Sequence, residues 1–258
     1  MLRANFCLPA EIIASEPDGK LRSALQEAGV AVTTDNQKAA RSGETILIGV
    51  KPAVVLAVVA EIAPVTENKL VISLAAGVRI RNMEPVSNAR LMRALTNTPT
   101  AIRRGATALA RGARTSTDDL LRAKTIFDAV GVTVEVDEEQ IDAVTALAGS
   151  GPAFVYTVIE ALANGGVATG LPAAVATVLA THTVLGAAQL AVETGKSPEE
   201  LRQMVVTPGG TTAAGLAAME ELRTSQGLVA AVQAAAARGE EMSREFVSAK
   251  EAPPASRR

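Results

Sequence analysis

The sequence predicts an α/β chain in two parts: a mostly parallel sheet domain over residues 1–137 and an all-α domain over 138–246. A disordered tail is predicted at 247–258. Three observations point this way. In the first half, short β-rich runs alternate with helical stretches, as in a parallel sheet with crossover helices. Several of these runs are continuously apolar, such as Ile46-Leu47-Ile48-Gly49-Val50, which suits strands covered on both faces. After about Glu138 the strand signals stop and long alanine-rich helices begin.

Seven strands are predicted, at 11–15, 30–33, 45–50, 70–74, 90–95, 107–110 and 132–136, with helices at 20–28, 53–62 and 118–130. In the second part, 141–148 reads as a helix that Gly149-Ser150-Gly151-Pro152 breaks. A new helix then starts near Pro152, because proline suits a first helical turn. An apolar helix follows at 173–191. Ser197-Pro198-Glu199-Glu200 is a helix start with Ser as N-cap, Pro at the first position and Glu at the third. A last helix is expected from about Ala213, capped by Thr211 or Thr212.

Composition narrows the function. Apolar residues make up 48% of 258, enough for a sizeable core, yet aromatics are only 2%, so base-stacking surfaces are not expected. The net charge of −2 and the lack of a basic run argue against a nucleic-acid partner. One cysteine, Cys7, and one histidine, His182, argue against a disulfide or a Cys/His zinc site, and no metal is expected. Low cysteine usage fits a cytoplasmic location. Residues 173–191 carry threonines, a glutamine and His182, so they read as a helix buried in protein and no membrane partner is expected. The helices of the second part have little charge. An intertwined homodimer would bury them, and packing on the chain's own sheet domain is the alternative.

Two segments carry chemistry. In Thr207-Pro208-Gly209-Gly210-Thr211-Thr212, glycines permit close backbone approach, and the helix that follows offers free amides and the positive end of its dipole to an anion. An ordinary turn before a helix is the plain alternative. Gly149-Ser150-Gly151-Pro152 has the same grammar and is a second candidate anion site.

The run Asp142-Ala143-Val144-Thr145-Ala146-Leu147-Ala148-Gly149-Ser150-Gly151-Pro152-Ala153-Phe154 resembles the signature of the pyrroline-5-carboxylate reductase family. So does Thr207-Pro208-Gly209-Gly210-Thr211-Thr212-Ala213-Ala214-Gly215-Leu216. Val50-Lys51-Pro52, Ser73-Leu74-Ala75-Ala76-Gly77-Val78 and Thr96-Asn97-Thr98-Pro99 resemble it in the first half. The resemblance implies a Rossmann-like domain followed by a helical substrate and dimerisation domain. It implies reduction of the C=N bond of 1-pyrroline-5-carboxylate by NADPH or NADH, the last step of proline biosynthesis. This chemistry needs two groups held face to face rather than a metal or a covalent nucleophile. By the same resemblance, Gly210, Thr211 and Thr212 bind substrate, with Thr212 catalytic at the ring nitrogen, and Ser150 and Glu138 are further substrate-side residues. Asn36, Lys51, Ala75, Ala76 and Asn97 match positions lining the cofactor cleft. His182 matches no catalytic position and reads as packed or capped.

The family opens with a strand and a glycine-rich turn that holds the cofactor pyrophosphate, and this sequence shows neither. Loss of that central strand predicts two unpaired strand edges. Two readings stand: a protein that begins upstream of Met1, which we favour, or a catalytically impaired relative acting as a dimeric small-molecule binder. Glu16 follows the strand where such folds read the adenosine ribose, so a cofactor-binding role and a preference for NADH are expected.

Overall fold

The computed structural model describes residues 2–251, and they divide into two compact units. One comprises the chain up to Ser150 together with the segment from Ala234 onward, and the other is Gly151–Gln233.

In the first unit, β1 (Ile13–Ser15) leads through α1 (Gly19–Glu27) to β2 (Ala31–Thr33). Next come α2 (Asn36–Ser42), β3 (Thr45–Ile48), α3 (Val55–Ile62), β4 (Leu70–Ser73), α4 (Ile80–Met83) and β5 (Arg90–Leu95). Then β6 (Gly105–Arg111), α5 (Thr117–Asp128), β7 (Gly131–Glu135) and α6 (Ile141–Val144) complete the run. All seven predicted strands are present, with no end moved by more than two residues. The helix starts are set by side chains. Asp18 accepts from the amides of Lys20 and Leu21, Asp35 caps α2, and Ser116 with Asp119 forms a reciprocal capping box on α5.

The strands form two sheets. β1 and β2 make a parallel pair, and β3-β4-β5-β6-β7 make a five-stranded sheet that is parallel except between β5 and β6. Among the described residues, β1 and β3 each have one edge without a strand partner, as the sequence led us to expect. β4 is buried along its whole length. Its side chains alternate, Val71 into a core with Val59, Ile62 and Met83, Leu70 and Ile72 into a second core with Phe127 and Leu120. Between the cores' elements, the Lys69 ammonium donates to the carbonyls of Ala40, Arg41 and Gly43, closing the C-terminal end of α2 at 2.8 to 2.9 Å.

The break expected at Gly149-Ser150-Gly151-Pro152 is confined to a bend at Ser150, whose dihedrals stay helical, and the new helix begins at Gly151, next to Pro152. Residues Thr145–Gly149 form a π-helical turn, with the Ser150 amide donating to Thr145 O at 2.8 Å, and α7 (Gly151–Ala168) follows directly. A proline at 152 has no amide to give to the carbonyl of Ala148. The Asn97 side chain supplies that bond instead, Nδ2 to Ala148 O at 3.1 Å, so the helical path survives the proline.

The second unit holds α7, α8 (Ala173–Thr194), α9 (Pro198–Met204), α10 (Thr211–Glu221) and the start of α11 (Thr224–Glu251). The Ser197 capping box forms as predicted: the Ser197 hydroxyl accepts from the Glu200 amide and the Glu200 carboxylate accepts from the Ser197 amide. The cap of α10 differs. Gly210 is the N-cap with no side-chain bond, and both threonines lie inside the first turn. The buried core of this unit is a small alanine cluster, Ala163, Ala176 and Ala180. Helix 173–191 is therefore not buried within the protomer: Val178, Leu179 and Leu185 are each more than half exposed, and His182 is on the exposed surface too. Of the predicted tail, 247–251 continue α11, and 252–258 lie outside the described residues.

Candidate active site

In the first unit, the C-terminal ends of parallel strands are where an open α/β sheet accepts a ligand. β3, β4 and β5 run parallel, so the segments after them share one edge of the sheet. Lys51, exposed, follows β3; Ala75 and Ala76 follow β4; Asn97 follows β5. Glu16 and Asn36 follow β1 and β2 of the smaller sheet.

Local bonding differs sharply among these residues. The Glu16 carboxylate accepts from the Asp18 amide at 2.9 Å, and Arg22 donates to the carbonyls of Glu16 and Pro17, so the turn after β1 is stiff. Asn36 donates to the Glu61 carboxylate at 2.8 Å. Asn97 is fully engaged, giving Nδ2 to Ala148 O and accepting the Ala106 amide on Oδ1 at 3.0 Å. Ala75 is buried, Ala76 half-buried, and Gly77 has φ of 74°, a left-handed conformation that favours glycine. These residues offer an accepting carboxylate at 16, a donating ammonium at 51, and small methyl side chains at 75 and 76. No glycine-rich strand–turn–helix occurs among the described residues, and no pyrophosphate contact is assigned.

Behind Ala75 lies a charged cluster that sequence reasoning missed. Arg93 projects from the middle of β5 and is 2% exposed. Its guanidinium donates to Ala75 O and to Glu138 Oε1, both at 3.4 Å, and its Nε has no partner. Glu138 also accepts the Ile80 amide. One turn further on, Asp142 pairs with Arg79 at 3.3 Å and accepts the Ser243 hydroxyl of α11. Burial pulls the Arg93 pKa below the ordinary guanidinium range, and the charges of Glu138 and Asp142 pull back against it. A charge in the apolar strand Arg90-Leu91-Met92-Arg93-Ala94-Leu95 was the available signal, since buried charge must be paired. Glu138, expected on the substrate side, has its carboxylate in this cluster.

In the second unit, the segment 207–212 forms a tight turn. The Gly210 amide donates to Thr207 O at 2.9 Å, and Gly209 has φ of 74°. A Cβ on Gly210 would stand 2.4 Å from Thr207 Oγ1 and 3.1 Å from Thr207 O, so a side chain there would have to push the Thr207 hydroxyl aside. The Ala214 amide takes Gly210 O, while the amides of Thr211, Thr212 and Ala213 have no acceptor among the described residues. That is an exposed helix start of the kind anions occupy. Ser150 is different. It is a bend set directly between the π turn and α7, so 149–152 is not an open helix start like that at Thr211. Its hydroxyl is half-buried.

Comparison with known proteins adds a separate line of support. Residues 138–242 match the family described as pyrroline-5-carboxylate reductase dimerisation, and residues 1–77 match one described as NADP oxidoreductase coenzyme F420-dependent. The chain is 44% identical over 236 residues to a pyrroline-5-carboxylate reductase of Synechocystis sp., covering 91% of this chain and 88% of that protein. It is 37% identical to the enzyme of the same name from Pisum sativum, covering 93% and 89%. Among solved structures, a pyrroline-5-carboxylate reductase from Coxiella burnetii matches with a TM-score of 0.86 at 34% identity, covering 91% of this chain and 89% of that one. A pyrroline carboxylate reductase from Plasmodium falciparum, solved with NADP bound, matches at 0.83 and 27% identity, covering 94% and 91%.

Proposed function

The chain belongs to the pyrroline-5-carboxylate reductase family, and from that premise we propose how its residues divide the work. It is an NAD(P)H-dependent oxidoreductase that reduces the C=N bond of 1-pyrroline-5-carboxylate to give proline, the last step of proline biosynthesis. Relatives along more than nine-tenths of the chain are reductases, so a non-catalytic binder is not favoured.

The observation that carries the division is the start of α10, where three consecutive amides lack acceptors among the described residues, behind a turn whose Gly209 has a left-handed φ of 74°. In our reading these amides, from Thr211 onward, hold the substrate carboxylate, and Gly210 allows its close approach. The Thr212 hydroxyl hydrogen-bonds the ring nitrogen. A threonine hydroxyl is too weak an acid to protonate it outright, so Thr212 orients the ring and relays a proton from water. Ser150 is assigned to the substrate side, and Glu138 supports it from its buried pair with Arg93. Bound NAD(P)H supplies the hydride. Glu16, Asn36, Lys51, Ala75, Ala76 and Asn97 line its cleft. Asn36 and Asn97 act there by shaping the wall, because their amides already have protein partners.

Glu16 favours NADH in this reading. A carboxylate accepts from both ribose hydroxyls and repels a 2′-phosphate. The chain is a homo-oligomer through its dimerisation region. We take the unit of assembly to be a dimer, in which the exposed apolar residues of α7 and α8 are covered; these helices are long and apolar enough to span a membrane by composition alone. We assign the protein to the cytoplasm. The test is oxidation of NADH or NADPH dependent on pyrroline-5-carboxylate, with proline as product. Failure with both cofactors would overturn the assignment of residues, and a lower KM for NADPH than for NADH would overturn the cofactor preference.

A further inference from the structure

Arg93 is costly where it stands. Its neighbours on the same face of β5, Leu91 and Leu95, are apolar, and the guanidinium is buried with one nitrogen unpartnered. Burial of an ion pair seldom stabilises a fold beyond what a well-packed apolar side chain would do. The long bonds, 3.4 Å each, are not those of an optimised structural pair. What Arg93 does achieve is geometric. One arm takes the carbonyl of Ala75, the other the carboxylate of Glu138, and Glu138 in turn takes the amide of Ile80. The segment from Ala75 to Ile80 is thus gripped at both ends by a single charged pair. In between, Gly77 sits in the left-handed region, a conformation that tolerates few alternatives.

We propose that Arg93 is a positioning residue for cofactor binding: paired with Glu138, it sets the backbone of residues 75–80 so that Ala75 and Ala76 present the correct wall to the nicotinamide cofactor. This rests on the reading that Ala75 and Ala76 line the cofactor cleft. It requires no contact between Arg93 and the cofactor. It predicts that loss of Arg93 weakens cofactor binding more than substrate binding.

The test is a fluorescence titration of the full chain with NADPH and NADH, comparing wild type, Arg93→Met and Arg93→Lys. Arg93→Met fills the space with an apolar chain and is expected to raise the cofactor dissociation constant about tenfold, the worth of one charge-assisted hydrogen bond. Arg93→Lys keeps the charge beside Glu138 but cannot serve both acceptors with a planar fork, and is expected to fall between the two. The KM for pyrroline-5-carboxylate at saturating cofactor should change less than the cofactor dissociation constant, and amide hydrogen exchange should quicken at 75–80 and not across β4. A merely structural role would instead speed exchange throughout the sheet unit and affect cofactor and substrate binding alike. Should Arg93→Met not fold, Arg93→Lys carries the same comparison. Wild-type binding that both variants match overturns the proposal. Absence of binding by the wild type itself overturns the cofactor assignment on which it rests.

Discussion

Replacing Gly209 by alanine isolates one property of the turn before α10. A Cβ on Gly209 would meet nothing within 4 Å, so no clash contributes. What changes is conformational: φ of 74° is left-handed, and an alanine there costs about 1–2 kcal/mol relative to glycine. If the turn relieves that strain by leaving its conformation, the competent fraction falls by roughly the same free energy, about 5- to 30-fold. Saturating substrate draws the turn back, so the loss belongs in KM, with kcat little changed. Gly209→Asn is expected to recover part of the loss, because asparagine tolerates the left-handed region better than alanine. Initial rates of cofactor oxidation, with pyrroline-5-carboxylate varied, read this directly. A KM for Gly209→Ala within about twofold of wild type, or a fall in kcat at constant KM, would refute the idea that the shape of this turn sets substrate affinity.

Three further outcomes are expected. Thr212→Val keeps the volume and removes the hydroxyl; kcat should fall about a hundredfold, and Thr212→Ser should restore most of it. Glu16→Gln, which cannot repel a phosphate, should raise the KM for NADH and lower that for NADPH in parallel rate measurements. Asp119→Asn should lower the thermal midpoint, because Asp119 holds Arg90 through two bonds at 2.8 and 3.0 Å and completes the cap of α5. Burial alone would raise the Asp119 pKa, but the bonds from Arg90 and Ser116 outweigh it and hold the carboxyl below its ordinary value. The stabilisation is therefore present above the unfolded pKa of about 4 and is lost as pH falls through the lower folded value. The gap between wild type and variant should close on acidification below about pH 4.

Much of this was legible in the sequence, and the exceptions share a cause. The seven strands could be read because a parallel strand covered on both faces is a continuous apolar run, and β4 is the clearest case. The start of α9 could be read because a capping box is a local pattern. By contrast, the helix across Pro152 depends on Asn97, far away in sequence. Local chemistry at residues 149–152 spells a break, which is reduced to a bend at Ser150, with a tertiary partner taking the Ala148 carbonyl. The cap of α10 differs from the expectation because the helix begins earlier, with Gly210 beside the Thr207 hydroxyl at the cap position. Arg93 was visible as a charge in an apolar strand, but its partners, Ala75 and Glu138, come from segments 18 and 45 residues away. The substrate turn itself was ambiguous on physics alone and became specific through its resemblance to a family.

The bond from Asn97 to Ala148 has a geometric corollary. An α-helix advances 1.5 Å and turns by about 100° per residue, so a slip of a single residue would carry the Ala148 carbonyl away from the amide that meets it. The Asn97 amide cannot follow, because its oxygen is held by the Ala106 backbone. The end of β5 thereby works as an index pin. It fixes the rotation and the axial phase of the helical run that bears Ser150, so the facing of the serine hydroxyl is decided by a strand end more than fifty residues earlier in the chain.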